Sequence, residues 1–282
     1  MLTDPESIME TLQETQGEKD APDRAETHPN VQLTELKPVL SPAMRAAFKM
    51  VQWLERIVVK YSPQGNATFF DPKDFPWTRI LEDNWQTIRK ELDVILEHTD
   101  DLPNFQDISK DQLSITRDDK WKTFFLYGYG YKSEANAARC PETTKLVEQA
   151  PGMLTAFFSI LKPGKHIPAH RGPYKGILRY HLGLLVPEPK ERCRIRVGED
   201  VRHWEEGKGM LFDDTHDHEV WNETDGVRVV LFMDVVRPLR FPASWLNRLI
   251  IALIKYSPIV QSARKNGEQW EMSFEETLNR AK

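Results

Sequence analysis

The feature that most constrains this chain is a change of texture between Met153 and Val236. There, short runs rich in Val, Ile, Leu and Phe alternate with turns marked by Gly, Pro and Asp. Candidate strands are Leu154–Leu161, Gly176–Val186, Cys193–Val197, Gly209–Phe212 and Val227–Val236. Turn signals fall at Lys162-Pro-Gly-Lys165, Arg171-Gly-Pro173, Pro187-Glu-Pro189, Gly207 and Asp225-Gly226. Several strands at such short spacing predict a sandwich or barrel.

The flanks read differently. Residues 1–42 form an acidic tail: from Met1 to Thr27 there are eight acids against Lys19 and Arg24. Such a segment cannot offset its ordering entropy by burial, so disorder is expected. A helix then runs from Pro42 to Lys60, with Ser41 as N-cap and Pro42 at the first helical position. A second begins near Asp83, where Trp85, Ile88, Leu92 and Ile95 fall at i, i+3, i+7 and i+10. Lys120–Tyr131 reads as an aromatic strand and Thr143–Ala150 as a short helix. These divisions give a domain over 43–240, with its β core at about 120–238, and a basic amphipathic segment over 241–282.

Composition excludes several classes. A net charge of −5 argues against a nucleic-acid binder built on bulk charge. No apolar stretch approaches the ~18 residues of a bilayer-spanning helix, and the acidic, polar start argues against a secretory signal. Two cysteines, Cys140 and Cys193, do not make a disulfide scaffold, which fits a cytoplasmic chain. Between Asp234 and Glu268 there is no acid, and Trp245-Leu-Asn-Arg-Leu-Ile-Ile-Ala-Leu-Ile254 lies within that stretch. A basic, apolar helix of this kind is either core or a peripheral contact on an anionic membrane, here through 241–260.

Histidines concentrate in one window: His166, His170, His181, His203, His216 and His218. In Ile177-Leu-Arg-Tyr-His-Leu-Gly183, strand alternation puts Arg179 and His181 on one face, Leu178, Tyr180 and Leu182 on the other. In a sandwich the polar face would meet solvent. Inside a barrel, an Arg beside a His would form a carboxylate site. Ser159 and Arg228 could hold a second carboxylate, the guanidinium as a bidentate fork. Two carboxylate anchors suit a dicarboxylic acid. His170 and His218 are possible metal ligands 48 residues apart in the chain. His216, two residues before His218, would share its face on a strand. Asp213 and Asp214 are possible ligands but read better as a polar turn or as partners orienting a histidine. His166 and His203 read as surface residues, Trp221 as packing and Cys193 as a buried strand residue.

Several motifs together resemble the aspartyl/asparaginyl β-hydroxylase family. They are His170-Arg-Gly-Pro, Arg179-Tyr-His-Leu-Gly-Leu184, Cys193-Arg-Ile-Arg196, Trp204-Glu-Glu-Gly-Lys208, Phe212-Asp-Asp-Thr-His-Asp-His-Glu-Val-Trp221 and Arg228. The resemblance implies a mainly β protein with flanking helices, its core a double-stranded β-helix, the jelly-roll barrel of cupin-like proteins. It implies Fe(II), 2-oxoglutarate and O2, with hydroxylation of an unactivated C–H bond and release of succinate and CO2. Carried over by position, it makes His170 and His218 the iron ligands. Ser159 and Arg228 would hold the distal carboxylate of 2-oxoglutarate, with Arg179 and His181 near its metal-bound end or near the substrate. Many related oxygenases supply a third ligand two residues after the first histidine; Gly172 stands there, as it does in this family.

The family's substrates divide between Asp or Asn side chains of peptides and acyl chains of bacterial membrane lipids. The acid-free C-terminal segment favours the lipid-acyl members and a place at the inner face of the membrane. Peptide β-hydroxylation and a non-catalytic jelly-roll binding module are the alternatives.

Overall fold

The computed structural model describes residues 42–280, with side chains from 49 to 275. The acidic segment 1–41 lies outside the described residues. The chain divides into units 1–49 and 50–282; helix α1 (Pro42–Tyr61) begins in the first, and all that follows concerns the second.

The remaining helices are α2 (Trp77–Asp83), α3 (Trp85–Leu96), α4 (Phe105–Ile108), α5 (Glu134–Arg139), α6 (Pro141–Val147), α7 (Ala243–Lys255) and α8 (Pro258–Arg280). The strands are β1 (Phe69–Phe70), β2 (Trp121–Gly128), β3 (Tyr131–Lys132), β4 (Met153–Leu161), β5 (Lys165–His170), β6 (Ile177–Leu185), β7 (Cys193–Val197), β8 (Asp200–His203), β9 (Gly209–Phe212), β10 (His218–Asn222) and β11 (Arg228–Val236).

Two sheets result, ordered β1-β9-β6-β11-β4-β2-β3 and β5-β10-β7-β8. From β4 to β11 the chain alternates between them, with β7 and β8 as the hairpin that turns it back. Eight strands wound this way form a double-sheet jelly roll. The fold is therefore the expected one, with one refinement: the sheets are separate antiparallel ladders and do not close into a barrel.

Period-two alternation sorts side chains between two cores. On β6 the residues Leu178, Tyr180, Leu182 and Leu184 point to the helix side, where Ile88, Leu92 and Ile95 of α3 meet them. Trp270 and Phe274 of α8 join that same core. The other face of the large sheet looks at the small one. There Phe157, Leu161, Phe212, Val230 and Phe232 pack against Ile167, Ile195, Val197 and Val220. A face-to-face pair of sheets about 10 Å apart leaves room for these side chains and for a pocket at one end.

The aromatic strand expected over 120–131 stops at Gly128 and turns back through Tyr129 and Gly130, both at positive φ. Strands β5, β8 and β10 carry no continuous apolar run and were not among the candidate strands. All three belong to the small sheet.

Candidate active site

The site begins with an irregularity. His218 of β10 is paired with His170 of β5, but Val220 is paired with Ile167. Pro168 and Ala169 thus oppose the single residue Glu219, a β-bulge. Ile167 and His170 are three apart and would face opposite ways on a regular strand. The extra residue turns both inward, and both line one pocket. Pro168 is tolerated there because a bulge does not need its N–H.

Across the ladder, the two imidazole rings stand 4.1 Å apart between centroids. His170 Nδ1 donates to the carbonyl of Pro168 at 2.8 Å, and His218 Nδ1 to that of His216 at 3.0 Å. A carbonyl only accepts, so each Nδ1 carries the proton and each Nε2 keeps its lone pair. Burial pushes both imidazoles below the usual histidine range, and the Arg179 charge adds to it. For His218, the neighbouring His170 contributes as well. Both are neutral donors at neutral pH. Among the described residues no set of three His, Cys, Asp or Glu is placed to share a metal ion.

Ser159, Arg179, His181 and Arg228 line the same pocket, with Trp121 and Phe232 among its walls. Ser159 Oγ accepts from Trp121 Nε1 at 3.0 Å, which leaves its own hydrogen free to donate. Arg228 is 2 % exposed and has no carboxylate partner among the described residues. Its guanidinium stacks on Trp204 at 4.4 Å, and its Nε is without a hydrogen bond. Burial pushes its pKa down to about 10. His181 is buried between Phe212 and Phe232, and neither ring nitrogen has a partner. Burial, then the Arg228 charge, holds it neutral. Arg228 Nη1 donates only to the Ser159 carbonyl, at 3.4 Å. A buried cation without a counter-anion and a buried imidazole without a partner on one wall describe a place for an anion with further acceptors.

Arg179 is the exception. The sequence places it near the metal-bound end of a cosubstrate or near the substrate; in the structure two acids already hold it, Asp214 at 2.9 Å and Asp234 at 3.0 Å. Burial works against its charge, yet those carboxylates outweigh it and raise its pKa. Asp234 is its cross-strand partner on β11. An acid inside the apolar run Val227–Val236 was the available signal for that residue.

Asp214 explains Gly172. A Cβ at position 172 would lie 2.2 Å from Asp214 Oδ2. The loop between β9 and β10 has brought this carboxylate into the volume where a side chain two residues after His170 would sit. Gly172 N donates to Asp214 O at 2.7 Å and fixes the approach. Asp213 points the other way, to Lys175 at 2.9 Å and Arg237 at 2.6 Å, and fastens the loop.

His216 sits in the turn before β10, so strand alternation does not apply to it, and it does not line the pocket. His166 stacks on Trp221 and meets Glu219 at 2.7 Å, outside the pocket. His203 is exposed and bonds Lys190 O. Cys193 is fully buried.

Residues 82–238 match the family model described as aspartyl/asparaginyl beta-hydroxylase. The chain belongs to the aspartyl/asparaginyl β-hydroxylase family. An ornithine lipid ester-linked acyl 2-hydroxylase of Rhizobium tropici is 46% identical over 241 residues, 85% of this chain and 86% of that one. The human aspartyl/asparaginyl beta-hydroxylase is 33% identical over 180 residues, 60% of this chain but 23% of that one. A cupin 2 conserved barrel domain protein of Salinispora arenicola covers 50% of this chain and 92% of its own, at a TM-score of 0.29 and 10% identity. The jelly-roll assignment rests on the strand order. Membership of this family makes the chain a hydroxylase, and the matched span contains every residue of the pocket described above.

Proposed function

We propose that this chain is an Fe(II)- and 2-oxoglutarate-dependent dioxygenase that hydroxylates a fatty acyl chain of a bacterial membrane lipid. The observation that carries the cosubstrate is Arg228: a buried cation without a counter-anion beside Ser159, in a pocket that ends at two neutral imidazoles. The donor set suits the metal. Two Nε2 atoms with fixed tautomers are ligands for a first-row divalent ion. They would leave the remaining positions of such an ion to non-protein ligands.

His170 and His218 would hold the iron. With 2-oxoglutarate and O2, the bound metal supplies oxidation of R–H to R–OH as the keto acid becomes succinate and CO2. The chain's own residues do the positioning. Arg228 would receive the distal carboxylate as a charge-assisted pair, and Ser159 would add a donated hydrogen bond. His181, as a neutral imidazole, offers one N–H to an acceptor of the cosubstrate. Phe212 and Phe232 line the pocket and would keep that end of it dry. Arg179, neutralised by Asp214 and Asp234, orders the wall next to His170.

The lipid substrate is favoured by similarity to the Rhizobium protein over most of both chains. It is also favoured by Arg179: with two acids on it, this guanidinium offers no net positive charge to a substrate aspartate. The reading includes peripheral membrane contact on the cytoplasmic side. The deciding experiment supplies purified chain with Fe(II), 2-oxoglutarate and either bacterial ornithine lipid or Asp- and Asn-containing peptides. The expected result is succinate release and a lipid one oxygen atom heavier. A heavier peptide and unchanged lipid would transfer the activity to peptide β-hydroxylation. No succinate with either would leave a binding module.

A further inference from the structure

Helix α7 carries large apolar side chains on more than one side, yet only one side of it is covered. Ala243, Asn247 and Ile251 are buried. Trp245, Leu249 and Leu253 recur at i, i+4 and i+8 on the other side, with Trp245 67% and Leu253 65% exposed. Phe241 just before the helix is 82% exposed. An apolar helix face is ordinarily turned to a core. Helix α1 repeats the pattern. Its Leu54 and Ile57 share an apolar groove with Leu246 and Ile250 of α7, while Met50 and Trp53 stand exposed.

The charge around these side chains has one sign. No acid occurs between Asp234 and Glu268. Arg240 and Arg248 are exposed and make no ion pair among the described residues. On α1, Trp53, Arg56 and Lys60 fall on one exposed stripe at i, i+3 and i+7. The acid of that helix, Glu55, lies 3.8 Å from Arg171.

This face is tied to the pocket by one loop. Tyr174 Oη donates to Asn247 Oδ1 at 2.9 Å, and Asn247 Nδ2 donates to the carbonyl of Gly176 at 2.9 Å. Arg171 and Tyr174 belong to the segment that leaves His170. The helices are thus anchored on the loop between His170 and β6, whose Arg179 and His181 line the pocket.

We propose that α1 and α7 together form a docking face for the surface of an anionic lipid bilayer. Trp53, Trp245, Leu249 and Leu253 enter the acyl boundary, and Arg56, Lys60, Arg240 and Arg248 meet the phosphates. Exposed Trp and Leu flanked by bases are the composition of an interfacial helix. A second copy on the same face would set these bases against themselves. The purpose of the docking, delivery of an acyl chain to the loop beside His170, rests on the lipid reading above; the docking itself does not.

The test is sedimentation of the full chain with vesicles of phosphatidylcholine alone or mixed with phosphatidylglycerol, alongside hydroxylation of detergent-dispersed ornithine lipid. The chain should bind the anionic vesicles and release from them in high salt. The double variants W245S/L253S and R240E/R248E should each lower the bound fraction about tenfold or more, with circular dichroism unchanged. A chain that hydroxylates dispersed lipid but sediments with neither vesicle overturns the docking face and leaves the activity standing. Binding that both double variants retain also overturns it. Binding lost in the variants, with no hydroxylated lipid from the parent, supports the face and removes the substrate reading. Self-association in light scattering that the same variants abolish, without vesicle binding, gives the face to a second copy and overturns the proposal.

Discussion

Arg228 holds a charge that no side chain around it balances, and that imbalance has two opposite consequences. Replacing a buried, unpaired cation with an apolar residue of similar length removes a desolvation cost, so R228M should raise the thermal midpoint of the ligand-free protein. The same change removes a charge-assisted fork, so the 2-oxoglutarate concentration for half-maximal turnover should rise by about tenfold to a hundredfold. Measuring both on one preparation separates a binding residue from a merely structural one. A midpoint that falls would mean the guanidinium is compensated within the protein.

Gly172 permits a second test at this scale. G172A places a methyl against the Asp214 carboxylate and should cost most of the activity. The double variant G172A/D214G removes the clash and should recover part of the loss, a coupling that independent sites would not show. H170A and H218A should each abolish turnover and metal binding, whereas H203A should change neither, since His203 lies on the exposed strand β8. The sequence made six pocket residues visible through alternation and family likeness. It did not reveal that Arg179 is neutralised, because Asp214 and Asp234 reach it from a turn and from another strand.

Among elements, the long strands of the large sheet were legible, whereas in the small sheet only β7 was, for a physical reason. Strands β4, β6 and β11 are buried on both faces and read as continuous apolar runs. The small sheet has one wet face. Its β8 is exposed throughout, β5 carries a proline in its bulge, and β10 is His-Glu-Val-Trp-Asn. Both histidines expected to bind iron stand on these quiet strands. The loop between β9 and β10 depends on Asp213, which is fully buried against Lys175 and Arg237. D213N leaves two cations without their partner and should destabilise the fold by about 3–5 kcal/mol in chemical denaturation.

The whole molecule should show the same residue in its acid limb. Burial alone would raise the Asp213 pKa, but Lys175, Thr215 and Arg237 outweigh it and hold the carboxyl below the ordinary aspartate value. A depressed folded pKa means a stabilising contribution that is complete above the ordinary value and lost as pH falls through the folded one. The Asp213 contribution to the unfolding midpoint should therefore be complete down to about pH 4 and be lost below it; in D213N that part of the acid drop should be missing.

The bulge at Pro168 and Ala169 bears on how the proposed Fe(II) would be taken up. It sets the two imidazoles as neighbours through main-chain pairing, so their spacing is inherited from a β ladder and needs no ion to create it. Stripping the ion with a chelator should then leave the far-ultraviolet dichroism spectrum as it was. Adding Fe(II) back should restore turnover without refolding, and one sample should survive repeated rounds of both.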